Sequence, residues 1–232
     1  MKQTVLITGC SRGIGLEFAR QYAETGWHVL ATCRHPQESV ALMDLRERHG
    51  ADVQVHALDV SNAEDIRGLA QSLAEQPVDI LLNNAGVYGP EEQGLGSVEP
   101  EAWIGVLKVN TIAPLLMAQT FLPNVERSAR RIIATVTSLM GSIGDNGSGG
   151  YYLYRSSKAA VNMVARSLAV DLKGKRIISV VLHPGWVRTG MGGPQAPASV
   201  EESVSGMRRV LDGLTMKESG GFFDVDGERL PW

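Results

Sequence analysis

Short runs of β-branched and aliphatic residues recur along the chain, separated by longer stretches whose apolar positions fall at helical spacing. The runs predict strands over Val5–Thr8, His28–Thr32, Val53–Leu58, Ile80–Leu82, Arg131–Val136 and Ile177–Leu182. Strand and helix signals alternate throughout, which predicts an α/β fold: a doubly wound parallel sheet with helices on both faces. Two helix starts carry a capping-box pattern, Ser61-x-x-Glu64 and Ser199-x-x-Glu202. Two segments break the rhythm and read as surface loops: Gly141–Gly150, with five glycines in ten residues, and Gly190–Pro197, with three glycines and two prolines. No repeat or linker divides the chain, so residues 1–232 are expected to form one domain.

The sharpest local pattern is Val5 to Gly15, where a run of β-formers stops at a glycine-rich turn and an amphipathic stretch follows at once. A strand that feeds a helix through such a turn aims backbone N–H groups and the positive end of the helix dipole at one spot, which suits a pyrophosphate. The glycines are Gly9, Gly13 and Gly15, a G-x-x-x-G-x-G spacing, with Ser11, Arg12 and Ile14 between them. By itself the turn favours a nucleotide site, with an ordinary strand–helix connection as the lesser alternative. After the second strand the chain reads Cys33-Arg34-His35. An acidic residue for a ribose 2′-hydroxyl is common about 20 residues past such a loop, and none stands here. Arg34 beside that place and Arg12 inside the loop suit a 2′-phosphate and NADP(H) rather than NAD, unless both are simply solvated.

Other strand ends add weaker signals. Asp59, ahead of Val60, either accepts from an adenine amino group or closes an Asx turn. Asn83-Asn84-Ala85-Gly86 is a small-residue turn that lets a ligand approach the main chain, or else a plain loop. Tyr154 and Lys158, at i and i+4, share one helix face. A phenol has a pKa near 10 and exchanges protons poorly at neutral pH; an adjacent ammonium favours the phenolate, so the pair reads as a general acid–base. Tyr151 and Tyr152 have no lysine four residues on. Ser138 closes a strand at the ligand-facing edge, where its hydroxyl can donate to a developing oxyanion, with Thr135, Thr137 and Ser142 as rivals. Asn110 precedes Pro114 by four residues, so its carbonyl loses the usual helical donor; a kink with a hydrated carbonyl is expected there, passing protons between Lys158 and solvent.

Composition narrows the class. Hydrophobic residues make up 44% and charged residues 20%, with a net charge of −3, so nothing favours nucleic acid or an anionic membrane as partner. The sequence shows no apolar run near the roughly 20 residues that span a bilayer, no leader, and no metal-ligand spacing around Cys10 and Cys33. A cytoplasmic protein is expected. The two cysteines end adjacent predicted strands and are read either as inert buried thiols or as a pair whose oxidation blocks the nucleotide site.

Taken together, Thr8-Gly9-x-x-x-Gly13-Ile14-Gly15, Asp59, Asn83-Asn84-Ala85-Gly86, Asn110, Ser138, Tyr154-x-x-x-Lys158 and Pro184-Gly185-x-x-x-Thr189 resemble the short-chain dehydrogenase/reductase family over essentially the whole chain. The ending, Gly221-Phe222-Phe223 through Leu230-Pro231-Trp232, is similar to the C-factor and sniffer-type carbonyl reductases. The resemblance implies a Rossmann-type sheet of about seven strands and NADP(H)-dependent reduction of an aldehyde, ketone or quinone. It implies Tyr154 as acid–base, Ser138 to polarise the carbonyl, Lys158 to tune Tyr154 and hold the nicotinamide ribose, and Asn110 in a proton relay. Pro184, Gly185, Val187 and Thr189 would hold the nicotinamide end. The spacing of 16 residues from Ser138 to Tyr154 is long for the family, an effect of the glycine-rich insertion. A mobile lid is implied at about residues 190–204, and Trp186, Met140, Tyr152 and Met191 line a substrate pocket or belong to core and lid. A homodimer or homotetramer through Ala102–Phe121 and Leu153–Leu172 follows the family's habit. A dinucleotide-binding signalling protein of C-factor type, with little or no turnover, is the alternative.

Overall fold

Odd and even positions of the buried strands serve opposite sides of one sheet. In the computed structural model, which describes residues 2–232, Val5, Ile7, Val29, Ala31, Leu82 and Ala134 pack with Phe18, Tyr22, Leu42, Met207 and Leu211. Their strand neighbours Leu6, Leu30, Leu81 and Ile133 pack with Ile66, Leu69, Met117 and Phe121 on the other face. A strand with apolar side chains on both faces requires cover on both faces, and this requirement makes the fold three-layered.

The strands are β1 (Thr4–Ile7), β2 (His28–Cys33), β3 (Val53–Ala57), β4 (Ile80–Asn83), β5 (Ile132–Val136), β6 (Ile178–Leu182) and β7 (Phe222–Phe223). They form one sheet in the order β3-β2-β1-β4-β5-β6-β7, every pair parallel. The order turns back between β1 and β4, and the crevice beyond their carboxyl ends is where such sheets bind ligands. The helices are α1 (Gly13–Glu24), α2 (Val40–His49), α3 (Ala63–Ser72), α4 (Pro100–Leu107), α5 (Ala113–Thr120), α6 (Leu122–Glu126), α7 (Tyr152–Asp171) and α8 (Val200–Gly213). The single-domain doubly wound fold expected from the alternation is the fold observed. The seventh strand is only two residues long and pairs Phe222 with Val181.

Three local expectations need correction. The Ser199 capping box is present in full at α8, but α3 is capped by Asn62, whose side chain accepts from the Glu64 N–H. Ser61 instead turns back to Asp59, donating both its N–H (2.9 Å) and its hydroxyl (2.7 Å) to Oδ1. Asp59 therefore closes the Asx turn. Around Asn110 the chain keeps its helix by widening it: Lys108–Ile112 forms a π-turn, in which the Lys108 carbonyl accepts from Ala113, five residues on. Pro114 still withholds its donor, and the irregularity expected there takes the form of this π-turn. As a result α4, the π-turn and α5 run continuously over Pro100–Thr120, 21 residues with mean hydropathy 1.2. That stretch is apolar and long enough by composition to cross a bilayer, contrary to the sequence expectation, yet it packs against α3 and α7.

Candidate active site

The carboxyl ends of β1 and β4 are stitched together before any ligand is considered. Thr8 Oγ1 accepts from the N–H groups of Asn84 and Ala85, each at 3.0 Å. The Asn84 amide returns the contact, donating to the carbonyls of Thr8 (2.9 Å) and Gly9 (3.2 Å). Gly15 brings α1 hard against this platform, since a β-carbon there would lie 2.2 Å from the Gly9 carbonyl oxygen. Asn84 is thus a brace of the floor, and Gly15 a close-packing position.

Above the floor lies a cleft of about 600 Å³. Of the predicted residues, Gly9, Ser11, Arg12, Gly13, Ile14, Gly15, Arg34, Asp59, Val60, Asn84, Ala85, Gly86, Tyr154, Lys158, Pro184 and Thr189 line it. Gly185 lies beyond its walls, and Val187 is buried behind them, pairing with Ala198. Asn110 and Ser138 stand behind the lining too, Asn110 against Val87 and Ser138 hydrogen-bonded to Tyr154. The sequence reading missed Arg188, Val200, Ser61 and Thr137 as lining residues. The regular Pro184-Gly185-x-x-x-Thr189 spacing was the signal available for Arg188.

Whether this cleft suits a dinucleotide is decided by its polar edge. At the start of α1, Arg12 has extended backbone and supplies no side-chain cap, and no acidic side chain stands in the first turn. The first amides of the helix are therefore directed at the cleft without a competing carboxylate. Among the described residues, Arg12 and Arg34 make no ion pair and no side-chain hydrogen bond within the chain. Ser61 hydrogen bonds, joined by Arg34 and His35 nearby, hold the Asp59 carboxyl below its usual range. An uncapped helix start with two unpaired cations fits an anionic, phosphate-bearing ligand.

At the other end of the cleft the proton-handling groups meet. Lys158 is buried, donates to the Val136 carbonyl at 3.0 Å, and stands 5.6 Å from the centre of the Tyr154 ring. Burial pushes the Lys158 ammonium down to about 8. Burial also pushes the Tyr154 phenol up to about 12; the Ser138 hydroxyl opposes the shift and Tyr88 adds to it. The lowering of the phenol expected from Lys158 is not seen: the group that opposes desolvation is Ser138. The phenol is held as an acid, protonated at neutral pH.

Geometry also separates Ser138 from its rivals. Its Oγ accepts from the Met140 N–H at 3.1 Å, which fixes the oxygen and leaves the hydroxyl proton to be donated. Thr137 spends its proton on Asn162 Oδ1 (2.7 Å), and Ser142 spends its own on the Trp232 carbonyl (3.2 Å). Tyr151 and Tyr152 are exposed, whereas Tyr154 is buried. Asn110 sits within the π-turn with its side chain committed: Oδ1 accepts from Val87 N–H (2.9 Å), and Nδ2 donates to Val87 O (2.8 Å) and Ser157 Oγ (3.0 Å). It ties the wall of the cleft to the helix that carries Tyr154 and Lys158.

The segment expected as a lid divides in two. Its last residues belong to α8, and its first part is a loop closed at the neck by the Val187–Ala198 bridge. Arg188 donates across that neck to the carbonyls of Ala196 (3.0 Å) and Pro197 (2.6 Å). Trp186 Nε1 donates to Gly192 O (2.7 Å), and Thr189 Oγ1 accepts from Gly192 N–H (3.0 Å). Trp186, Met191 and Tyr152 are exposed, so none of them is core. Cys10, in the turn after β1, and Cys33, the last residue of β2, are free and buried, and burial raises both thiols above their usual range. These are the properties of inert thiols.

The assembled geometry has clear relatives. The family model for short chain dehydrogenase matches residues 3–199. The C-signal protein of Myxococcus xanthus is 45% identical over 167 residues, covering 72% of this chain and all of that protein. The carbonyl reductase Sniffer of D. melanogaster superposes with a TM-score of 0.93 at 33% identity, with both chains fully covered. An NADPH-bound carbonyl reductase from chicken fatty liver gives 0.92 at 34% identity, covering all of this chain and 99% of that one. A phosphate-ready glycine turn, a serine–tyrosine–lysine cluster across the same cleft and these matches together establish that the chain belongs to the short-chain dehydrogenase family of oxidoreductases.

Proposed function

We propose that the protein reduces small carbonyl compounds (aldehydes, ketones or quinones) to alcohols with NADPH. The observation that carries this reading is that Tyr154, hydrogen-bonded to Ser138, and Lys158 stand at one end of a cleft whose other end holds an uncapped helix and two unpaired arginines. Gly9 to Gly15 would hold the pyrophosphate, Arg12 and Arg34 the 2′-phosphate, and Lys158, Pro184 and Thr189 the nicotinamide half. When bound, the dinucleotide supplies the hydride. Tyr154, a protonated phenol, donates its proton to the carbonyl oxygen, while the Ser138 hydroxyl holds that oxygen and stabilises the charge developing on it. Lys158, with a pKa of about 8, returns a proton to the phenolate. Asn110 keeps this helix in register with the cleft wall. The NADP(H)-bound state of neighbouring carbonyl reductases supports the choice of cofactor.

Exposed Ile104, Ile112 and Leu115 on the α4–α5 helix, with Met163 and Val170 on α7, support assembly into a homodimer or homotetramer. Two free, inert thiols suit the cytoplasm, the location we propose. The likeness to the C-signal protein supports a second reading, a dinucleotide-binding signalling protein with little turnover. The test is oxidation of NADPH and of NADH by a panel of aldehydes, ketones and quinones, with Tyr154→Phe as control. NADPH-dependent turnover that falls on the order of 10³-fold in Tyr154→Phe, with NADPH still bound, supports the reductase. Tight NADPH binding with no turnover across the panel supports the signalling protein instead.

A further inference from the structure

The helix that carries Tyr154 begins without help from its own sequence. Its N-cap residue, Tyr151, lies in left-handed backbone (φ 49°, ψ 42°) and provides no side-chain cap. The first turn of any helix leaves amides that must find acceptors elsewhere. Here two of them find one residue, 61 positions earlier: Gln93. The Gln93 carbonyl accepts from the Tyr152 N–H at 3.1 Å, and its side-chain Oε1 accepts from the Tyr154 N–H at 2.9 Å.

The other end of the same amide faces the opposite way. Gln93 Nε2 donates to the carbonyls of Tyr88 (2.9 Å) and Pro90 (2.8 Å), so both its protons are used. The side chain is 2% exposed, and a buried amide is tolerable only when paired in this manner. The loop it folds, residues 84–99, starts on the cleft floor at Asn84 and passes through Val87, which Asn110 grips from both sides. The Tyr88 ring, fixed by the bond to its carbonyl, packs 4.9 Å from the Tyr154 ring and 6.0 Å from Tyr151. Loop and helix are thereby clamped at the level of the reacting phenol.

We propose that Gln93 is a positioning residue for Tyr154, an external helix cap that locks the first turn of α7 to the loop leaving the cofactor cleft. This rests on Tyr154 being the general acid. A displacement of about 1 Å at a reacting group costs on the order of 10²-fold in rate, so a cap placed here governs turnover as well as stability. A cap with only a structural role would lower stability and leave the chemistry of the folded enzyme alone.

Two variants test it. Gln93→Leu keeps similar bulk and removes all three side-chain hydrogen bonds. Gln93→Glu, when ionised, accepts from Tyr154 but opposes the Tyr88 and Pro90 carbonyls; once protonated it regains one donor. The expected result is a kcat lowered about 10- to 100-fold in Gln93→Leu with NADPH affinity unchanged. In Gln93→Glu the activity relative to wild type should recover as pH falls through the carboxyl's titration. Wild-type kcat in Gln93→Leu, a loss confined to KM, or a flat pH ratio in Gln93→Glu overturns the proposal. If Gln93→Leu gives no soluble protein, the Gln93→Glu ratio alone decides. If wild type turns nothing over, that failure belongs to the reductase reading. Amide exchange then decides: at Tyr152 and Tyr154 it should quicken at least about tenfold in Gln93→Leu, and unchanged exchange overturns the cap.

Discussion

Thr8, Asn84 and Asn110 hold the backbone under and behind the cleft through side-chain hydrogen bonds, whereas Met191 at its rim and Trp186, bonded to the neighbouring Gly192, are exposed. Thr8 and Asn84 join strand ends set by a sheet buried on both faces, and Asn110 joins the loop at Val87 to Ser157 on α7. At the rim the partners are loop carbonyls, and the apolar groups meet water. Turnover needs the first arrangement, because a proton moves between groups held at fixed distances. Substrate choice needs the second, because apolar surface without a fixed partner can accept many shapes.

The division can be broken at its strongest point first. Gly15→Val places side-chain atoms where a single β-carbon already lies 2.2 Å from a carbonyl oxygen, so dinucleotide binding should be lost altogether. Fluorescence titration with NADPH, beside circular dichroism to confirm folding, measures this. Next in size, Arg34→Ala and Arg12→Ala should each weaken NADPH binding about tenfold and leave NADH nearly unchanged, since each removes a charge-assisted bond to a 2′-phosphate. Equal losses for both nucleotides would place the arginines elsewhere.

A third test uses pH. Lys158 titrates at about 8 in the folded protein against 10.5 ordinarily. Between these values the unfolded chain holds a proton that the folded chain has released, so stability rises with pH across that window. The Tyr154 phenol acts in the opposite sense, but only above its ordinary value of 10. Cys10 and Cys33, whose thiols are raised from an ordinary 9.0, also act in that opposite sense, but equally in both proteins, so denaturant unfolding from pH 8 to 10 should show wild type gaining stability relative to Lys158→Met. The smallest effect belongs to the rim. Trp186→Ala should change KM for bulky carbonyls a few-fold while stability moves by no more than about 0.5 kcal/mol. A collapse of kcat in this variant would mean that rim and floor are one unit.

Much of the floor was legible because its signals are local. Strand runs, the glycine turn and the Tyr154–Lys158 spacing each reflect a neighbour within a few residues. What escaped depends on distant partners. Ser61 and Asn62 are both good caps, and only the pull of Asp59 on Ser61 decides between them. Pro114 announced a broken helical bond, but not that the irregularity would take the form of a π-turn. The phenol's acidity was misjudged because spacing reveals the adjacent lysine but not the burial of both groups. Gln93 gives no signal as a cap, since the amides it accepts from lie on a helix that starts nearly sixty residues later.

The neck between Val187 and Ala198 has a consequence for descent as well as for catalysis. A loop whose two feet are tied to each other can be lengthened, shortened or rewritten at small entropic cost, and the sheet beneath need not register the change. Duplicated copies of such a gene can therefore diverge in appetite by exchanging the few residues between Thr189 and Ala196, each inheriting a finished proton-transfer apparatus. In that sense the loop is a replaceable part, and the lineage need solve its chemistry only once.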